Sequence, residues 1–341
     1  MILGKIEKKK LKFCFDKKSR IANKYLLKYL TKYIQIESKS RLTENKTKLY
    51  LPHLFKLKNN NIIHNPAIHL SDLNQEWERR KMQPLFKLSD EDEEFYENNF
   101  MKLFNLKAND WFVCLHVREG GYKGSNRIYD ADINSYFKAI NKINNEGGYV
   151  FRVGDNSMSK ITSLGDKFID YANSKYKSDK MDLILFAKCK FFIGTSSGPY
   201  TLAKVFGRPI LVTNYPSISS MYLTDKDIYL PKLIFDKNKN QLQSFFNIFN
   251  YPYNTLNIDQ TIDYLNIDLI NNTEDDIYFA VLEMLSSLKL INKNIHTDNE
   301  KLLNKYNKLL NKLYSDKNFN GTKINSRISL NFLTKHNQLL N

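Results

Sequence analysis

Between Trp111 and Thr213 the chain alternates apolar runs of strand length with amphipathic runs of helix length, and this alternation limits the possible folds more than any other feature. Trp111-Phe-Val-Cys-Leu-His-Val117 reads as a buried strand. Asp130 or Asp132 then caps a helix bearing Ile133, Tyr136, Phe137, Ile140 and Ile143, and Gly147-Gly148 ends it before a second strand, Tyr149-Val-Phe-Arg-Val153. Phe168-Ile-Asp-Tyr171 offers a third strand. Asp182 caps a helix from Leu183 to Lys188, and Phe191-Phe-Ile193 is a strand ending in Gly194-Thr-Ser-Ser-Gly-Pro199. A helix from Tyr200 to Phe206 leads to the strand Ile210-Leu-Val-Thr213. Such alternation over about a hundred residues predicts a doubly wound parallel sheet with right-handed crossovers. Ligands of these sheets lie beyond the carboxyl ends of the strands. The unusual residues fall at those ends: His116 to Glu119, Gly154-Asp155, Gly194 to Pro199, and Asn214.

Outside this block the pattern is thinner. Lys12-Phe-Cys-Phe15 reads as a short strand, and Ser19 can cap a helix with Ile21, Tyr25, Leu26, Tyr29, Leu30 and Tyr33 at helical spacing. Tyr50 to Pro84 is irregular. Ser89 opens an acidic first turn, Asp90 to Glu94, of a helix running to about Leu103. Beyond Asp236 the chain reads as helical satellites. Thr273 with Asp276 forms a capping box for a helix carrying Ile277, Val281, Met284, Leu285 and Leu288, and a second amphipathic helix spans Glu300 to Tyr314. Both read as packing elements.

Composition narrows the class. With 42% hydrophobic and 26% charged residues in 341, the chain is globular and long enough for roughly two domains. The net charge of +16 is concentrated: residues 1–60 hold 17 Lys/Arg against 4 Asp/Glu, which leaves about +3 for the rest. A basic segment of this kind suits phosphates, whether anionic lipid headgroups or a phosphate-bearing acceptor, and it equally suits a solvated face with no partner. Three scattered cysteines, Cys14, Cys114 and Cys189, form neither a disulfide framework nor a zinc site and point to a reducing compartment. No run approaches ~18 apolar residues, and no apolar stretch follows the N-terminal charges as in a signal peptide. The expected location is the cytoplasm, with the inner membrane surface as a candidate contact.

Three strand ends carry residues suited to chemistry. In His116-Val-Arg-Glu119, Arg118 offers a permanently charged fork of donors that fits a diphosphate and can stabilise its departure without a metal. The alternative is a surface Arg beside a structural His. In Gly194-Thr-Ser-Ser-Gly-Pro199, small residues let main-chain N–H groups approach an anion at a helix N-terminus, with Thr195, Ser196, Ser197 and Gly198 around it. A tight, well-capped turn explains the same residues. The run is neither a P-loop nor a dinucleotide fingerprint. In Arg152-Val-Gly-Asp-Asn156, Gly154 permits close approach and Asp155 can accept from a base or ribose hydroxyl, or cap its own turn. The Asp-x-Asp pairs Asp130/Asp132, Asp90/Asp92 and Asp225/Asp227 are set aside as metal sites, the first two because they open helices and the third because it lies in a polar connection. The six histidines are dispersed, so no metal is expected.

The ordered series His116-Val-Arg-Glu119, Gly147-Gly-Tyr-Val-Phe-Arg-Val-Gly154, Asp179-Lys-Met-Asp182, Phe191-Phe-Ile-Gly-Thr-Ser-Ser-Gly-Pro199, Phe206-Gly-Arg-Pro209 and Leu230-Pro-Lys232 resembles a family of bacterial glycosyltransferases. That family is similar in turn to fucosyltransferase-type GT-B enzymes, whose donor domain opens with a His-x-Arg strand end. The resemblance spans about Ala108 to Leu340. It implies an α/β, GT-B-like chain of two Rossmann-type halves: a short basic acceptor-side half (1–106), a donor-binding half (107–235) and a helical extension packing on both (236–341). It implies a nucleotide-sugar donor, a glycan or glycolipid acceptor, no cofactor and no nucleic acid, in cell-surface polysaccharide synthesis. It places Arg118 on the diphosphate, with His116 in support. Glu119 is the candidate base and Asp155, near the nucleoside, the runner-up. Tyr122, Arg152, Gly154, Thr195, Ser196, Ser197 and Gly198 complete the donor side. The rival expectations are a non-catalytic sugar-nucleotide or glycan-binding module and, more distantly, a nucleic-acid binder suggested by the basic segment.

Overall fold

The computed structural model describes residues 11–15, 23–32, 34–38, 55–56, 62–63, 77–120, 126–162, 164–216, 223–256, 259–292, 299–315 and 326–341. Seven parallel strands form the main sheet: β5 (Phe112–His116), β6 (Tyr149–Arg152), β7 (Phe168–Ile169), β8 (Phe192–Thr195), β9 (Ile210–Tyr215), β10 (Ile228–Pro231) and β14 (Arg327–Ile328), in the order β14-β10-β9-β8-β5-β6-β7. The chain enters at β5 in the middle, builds outward through β6 to β7, returns to β8 on the other side of β5, and continues to the opposite edge. The order reverses between β5 and β8.

The strands read as apolar runs because they are covered on both faces: Val113, Leu115, Phe192, Leu211 and Ile228 are fully buried. The helix α4 (Phe137–Asn145) joins β5 to β6, and α6 (Gly198–Val205) joins β8 to β9 in the opposite direction across the sheet. Right-handed crossovers therefore put them on opposite faces. The helix α5 (Asp179–Lys188) packs with α6, and α9 (Glu274–Ser287) packs with α4, β9 and β10. The helix α5 begins at Ser178, whose side chain accepts from Met181 N, and not at the expected Asp182, which pairs with Lys177 inside the first turn. Cys114 and Cys189 are buried free thiols packed as small hydrophobes.

The described N-terminal pieces are β1 (Leu11–Phe15), α1 (Leu26–Leu30) and β2 (Ile34–Ser38), with β1 and β2 parallel, and a small pair β3 (Phe55–Lys56) and β4 (Ile62–Ile63). Most of the basic segment, the helix start at Ser19 and Tyr122 lie outside the described residues. Tyr29 of α1 packs against Phe86, Phe206 and Leu183, and its hydroxyl donates to Asp92. The helix α2 (Asp90–Phe95) opens on Ser89 as expected, and continues through a π-turn at Tyr96–Phe100 into α3 (Met101–Leu103). Asp92 is fully buried and accepts from Tyr25, Tyr29 and Lys180; hydrogen bonds outweigh its burial and hold its carboxyl down to about 2.

The tail is not purely helical. The strands β11 (Leu233–Asp236), β12 (Gln241–Leu242) and β13 (Ile267–Ile270) form an antiparallel sheet, and β14 completes the main sheet. The capping box of α9 forms as read from Thr273 and Asp276, and α10 (Glu300–Ser315) is the second amphipathic helix. Glu283 of α9 accepts from Ser329 Oγ and from the N–H groups of Leu330 and Asn331, which fastens β14 to the helix layer. No described helix is long and apolar enough to cross a membrane.

Candidate functional site

The strand order reverses between β5 and β8, and sheets of this order take ligands beyond the carboxyl ends of the strands at such a point. His116 is in register with Gly194, and a Cβ on Gly194, at φ 151°, would collide with the His116 carbonyl oxygen. Glycine lets the two strand ends close up. Ser197 Oγ lies 3.0 Å from His116 Nδ1. Ser197 is the N-cap residue of α6, yet its side chain caps nothing because it is turned to the histidine. The Ser196 hydroxyl has no protein partner among the described residues, and a Cβ on Gly198 would meet only open space.

Arg118 stands beside this turn. Its main-chain N donates to Thr195 Oγ1 at 3.0 Å, and its Nε to Asp130 Oδ1 at 3.2 Å. The guanidinium carbon lies 5.6 Å from the centroid of the Tyr129 ring. The two terminal nitrogens take no protein partner among the described residues, and the side chain is 24% exposed. One edge of the fork is anchored and the other is presented. Thr195, expected on the donor, is instead fully buried, and its hydroxyl is used in placing Arg118.

Two further residues expected at the ligand are structural. The Arg152 guanidinium is wholly buried, paired with Glu119 and with Asp170 at 3.2 Å, and it donates to the Ser159 carbonyl at 2.5 Å. A charge with that many partners beneath the surface holds the chain together rather than meeting a ligand. Glu119 accordingly has Oε1 on Arg152 and Oε2 on Ser159 N at 2.8 Å, so neither oxygen is presented to an acceptor hydroxyl as a base requires. Gly154, at φ 154°, leaves room for the Met158 side chain. Asp155 caps its own turn through Oδ1, accepting from Ser157 N at 2.8 Å.

The Asp-x-Asp pairs also resolve. Asp132 caps the 3₁₀ turn Ile133–Tyr136, while Asp130 serves Arg118 and Asn126 N and caps no helix. Asp227, expected in a polar connection, is a buried hub accepting from Lys204, Ile210 N and Thr224. Among the described residues no group of three His, Cys, Asp or Glu is placed to hold a metal ion.

Sequence reasoning misses a cavity of about 550 Å³ beside Arg118. One wall is Glu119 with Asp130 to Asp132. The other comes from the tail, through Ile262 of α8 (Asp259–Leu265), Asp268 and Asn271, so that region walls a site as well as packing. Arg127 crosses to the tail and pairs with Asp263 at 2.8 Å. No local signal marks these partners, because each is over a hundred residues from the loop it meets.

Burial pushes the His116 imidazole down to about 4, against the opposing pull of Asp155, so the ring is neutral at neutral pH. The folded value lies below that of the unfolded chain, so the unfolded state binds the proton first and stability falls as pH drops between those values. We expect about 2 kcal/mol of stability to be lost between about pH 7.5 and pH 5 through this residue. Denaturant titrations of wild type and His116→Asn at both pH values check this. An equal loss in the two proteins would show that the ring does not control it.

No known protein-family model matches the sequence, and no curated protein does. Two solved structures are similar over part of their length. One is E. coli ADP-heptose lipopolysaccharide heptosyltransferase II, at 17% identity and a TM-score of 0.31, over 44% of this chain and 47% of that one. The other is the dodecameric iron-containing heptosyltransferase TibC in complex with ADP-D-beta-D-heptose, at 13% identity and 0.32, over 52% of this chain and 46% of that one. The chain thus matches less than half the length of either, and its assignment as a doubly wound α/β protein rests on its own strand order.

Proposed function

We propose that the chain is a GT-B-type glycosyltransferase whose seven-stranded sheet is the donor-binding half, and that it moves a sugar from a nucleotide-sugar to a glycan or glycolipid hydroxyl in cell-surface polysaccharide synthesis. The observation that carries this is the pairing, at the switch point, of an Arg118 guanidinium whose Nε is held by Asp130 and whose terminal nitrogens take no partner among the described residues, with a Ser197-Gly198 helix start that has no side-chain cap. The donor diphosphate lies across the two, with the Ser196 hydroxyl beside it. Arg118 stabilises the negative charge that grows as the sugar–phosphate bond breaks, without a metal. Asp155 takes the acceptor proton, since Glu119 is occupied by Arg152. The cavity walled by the tail adjoins the place where the sugar leaves. The basic N-terminal segment holds the protein at an anionic membrane surface, on its cytoplasmic side.

Gly198→Val is the decisive variant. A Cβ there meets nothing within 4 Å among the described residues, so the melting temperature of the unliganded protein should change little, while affinity for ADP, GDP or UDP should fall by about tenfold or more as the branched side chain fills the phosphate position. Wild-type affinity for whichever nucleotide binds would remove the loop from the site. The occupation of Glu119 favours one second reading, a module that binds a sugar-nucleotide without turning it over. Nucleotide binding with no donor hydrolysis or transfer would establish that reading.

A further inference from the structure

Lys232 is a buried cation that the proposed chemistry does not use. It lies at the corner between β10 and β11, is 2% exposed, and forms no ion pair with any described carboxylate. Its ammonium donates instead to two main-chain carbonyls, Arg127 O at 2.9 Å and Asp130 O at 3.0 Å. Burying a charge without a directly paired counter-ion is costly, and here the cost is offset by those two bonds together with the field of the Asp130 and Asp259 carboxylates.

The two bonds hold one turn. Tyr129 N and Asp130 N both donate to Asn126 O, so the carbonyls that Lys232 gathers belong to a single helical turn. That turn grips Arg118 twice, through Asp130 Oδ1 on Nε and through Ala131 N on the Arg118 carbonyl at 3.0 Å. It also supplies Asp130, Ala131 and Asp132 to the cavity wall.

We propose that Lys232 is a positioning residue for the phosphate site: its ammonium acts as a built-in cation that clamps the Arg127–Asp130 turn and, through Asp130, sets the direction of the Arg118 fork. This rests on the reading that Arg118 meets the donor diphosphate. Burial brings the Lys232 ammonium down to about 8, against the pull of the Asp130 and Asp259 carboxylates that face it. The clamp should therefore weaken at mildly alkaline pH.

The test is a double-mutant cycle on the full chain, read as affinity for the best binder among ADP, GDP and UDP. Lys232→Met keeps the length of the side chain and removes the charge. It should weaken binding about tenfold in the wild-type background and less than about twofold in the Arg118→Ala background. Asp130→Ala breaks the same relay from the other end and should behave alike, which keeps the test available if Lys232→Met fails to fold. The wild-type affinity should also fall from about pH 7.5 to pH 9, and this fall should be absent in Lys232→Met. Nucleotide binding by Arg118→Ala at wild-type strength would overturn the phosphate reading itself. Weak binding by Arg118→Ala, with Lys232→Met either silent or equally damaging in both backgrounds, would overturn the positioning role alone.

Discussion

Arg118→Ala should lower the rate of sugar transfer by about 10²–10³-fold in a protein that still folds. The side chain is partly exposed, and Asp130, which it leaves, retains its bond to Asn126 N, so no buried charge is stranded. The loss should appear in kcat, because the charge Arg118 meets grows as the sugar–phosphate bond breaks. Arg118→Lys should recover only part of it, since an ammonium cannot keep one donor on Asp130 and present a planar pair to a diphosphate. Steady-state kinetics on a panel of nucleotide-sugars, with the melting temperature as a folding control, measures both. Wild-type turnover by folded Arg118→Ala protein would end the assignment.

The strands β5, β6, β8 and β9 are legible in the sequence because each is covered on both faces and so leaves a continuous apolar run, and because the helical stretch between the first two opens on a side-chain cap, Asp132. The expectation of a site at the strand ends follows from the alternation alone. The strands β12 and β14, of two residues each, are too short to carry a period, and β14 pairs with a strand about a hundred residues earlier, whereas the equally short β7 lies within the run Phe168 to Tyr171 that reads as a strand. The roles of Arg152, Glu119 and Thr195 are misread for a single reason. A polar residue at a strand end reads as facing a ligand unless its partner is visible. The partners of Arg152 lie 33 residues before it and 18 after it, and that of Thr195 lies 77 residues before it. Asp130 is misread in the opposite sense: as half of an Asp-x-Asp pair it suggests a metal or a cap, while its Oδ1 serves an arginine twelve residues away and its Oδ2 the Asn126 N–H.

Arg152→Met should destabilise the protein by about 3 kcal/mol, the lower end of the range for removing one member of a buried ion pair. The guanidinium has no exposure, while Glu119 and Asp170 keep 18% and 13%, so the two stranded carboxylates recover some hydration and the cost stays below the maximum. With an unfolding entropy of about 2.1 cal/mol/K per residue, a chain of 341 residues shifts by about 1.4 °C per kcal/mol, so the melting temperature should fall by about 4 °C. Arginine also leaves its own Nε without a partner among the described residues, so the wild-type arrangement is not an ideal one that any change must spoil. The triple variant Arg152→Met, Glu119→Gln, Asp170→Asn removes all three charges together and should recover most of the lost stability, because neutral amides cost less to bury than unpaired carboxylates. It should also bind the same nucleoside diphosphate as the wild type, since Arg152 lies beneath the site and not in it. A single variant that melts like the wild type, or a triple variant no more stable than the single, would show that Arg152 is not the buried pin of these strand ends. A stable triple variant with lost nucleotide affinity would return Arg152 to the ligand.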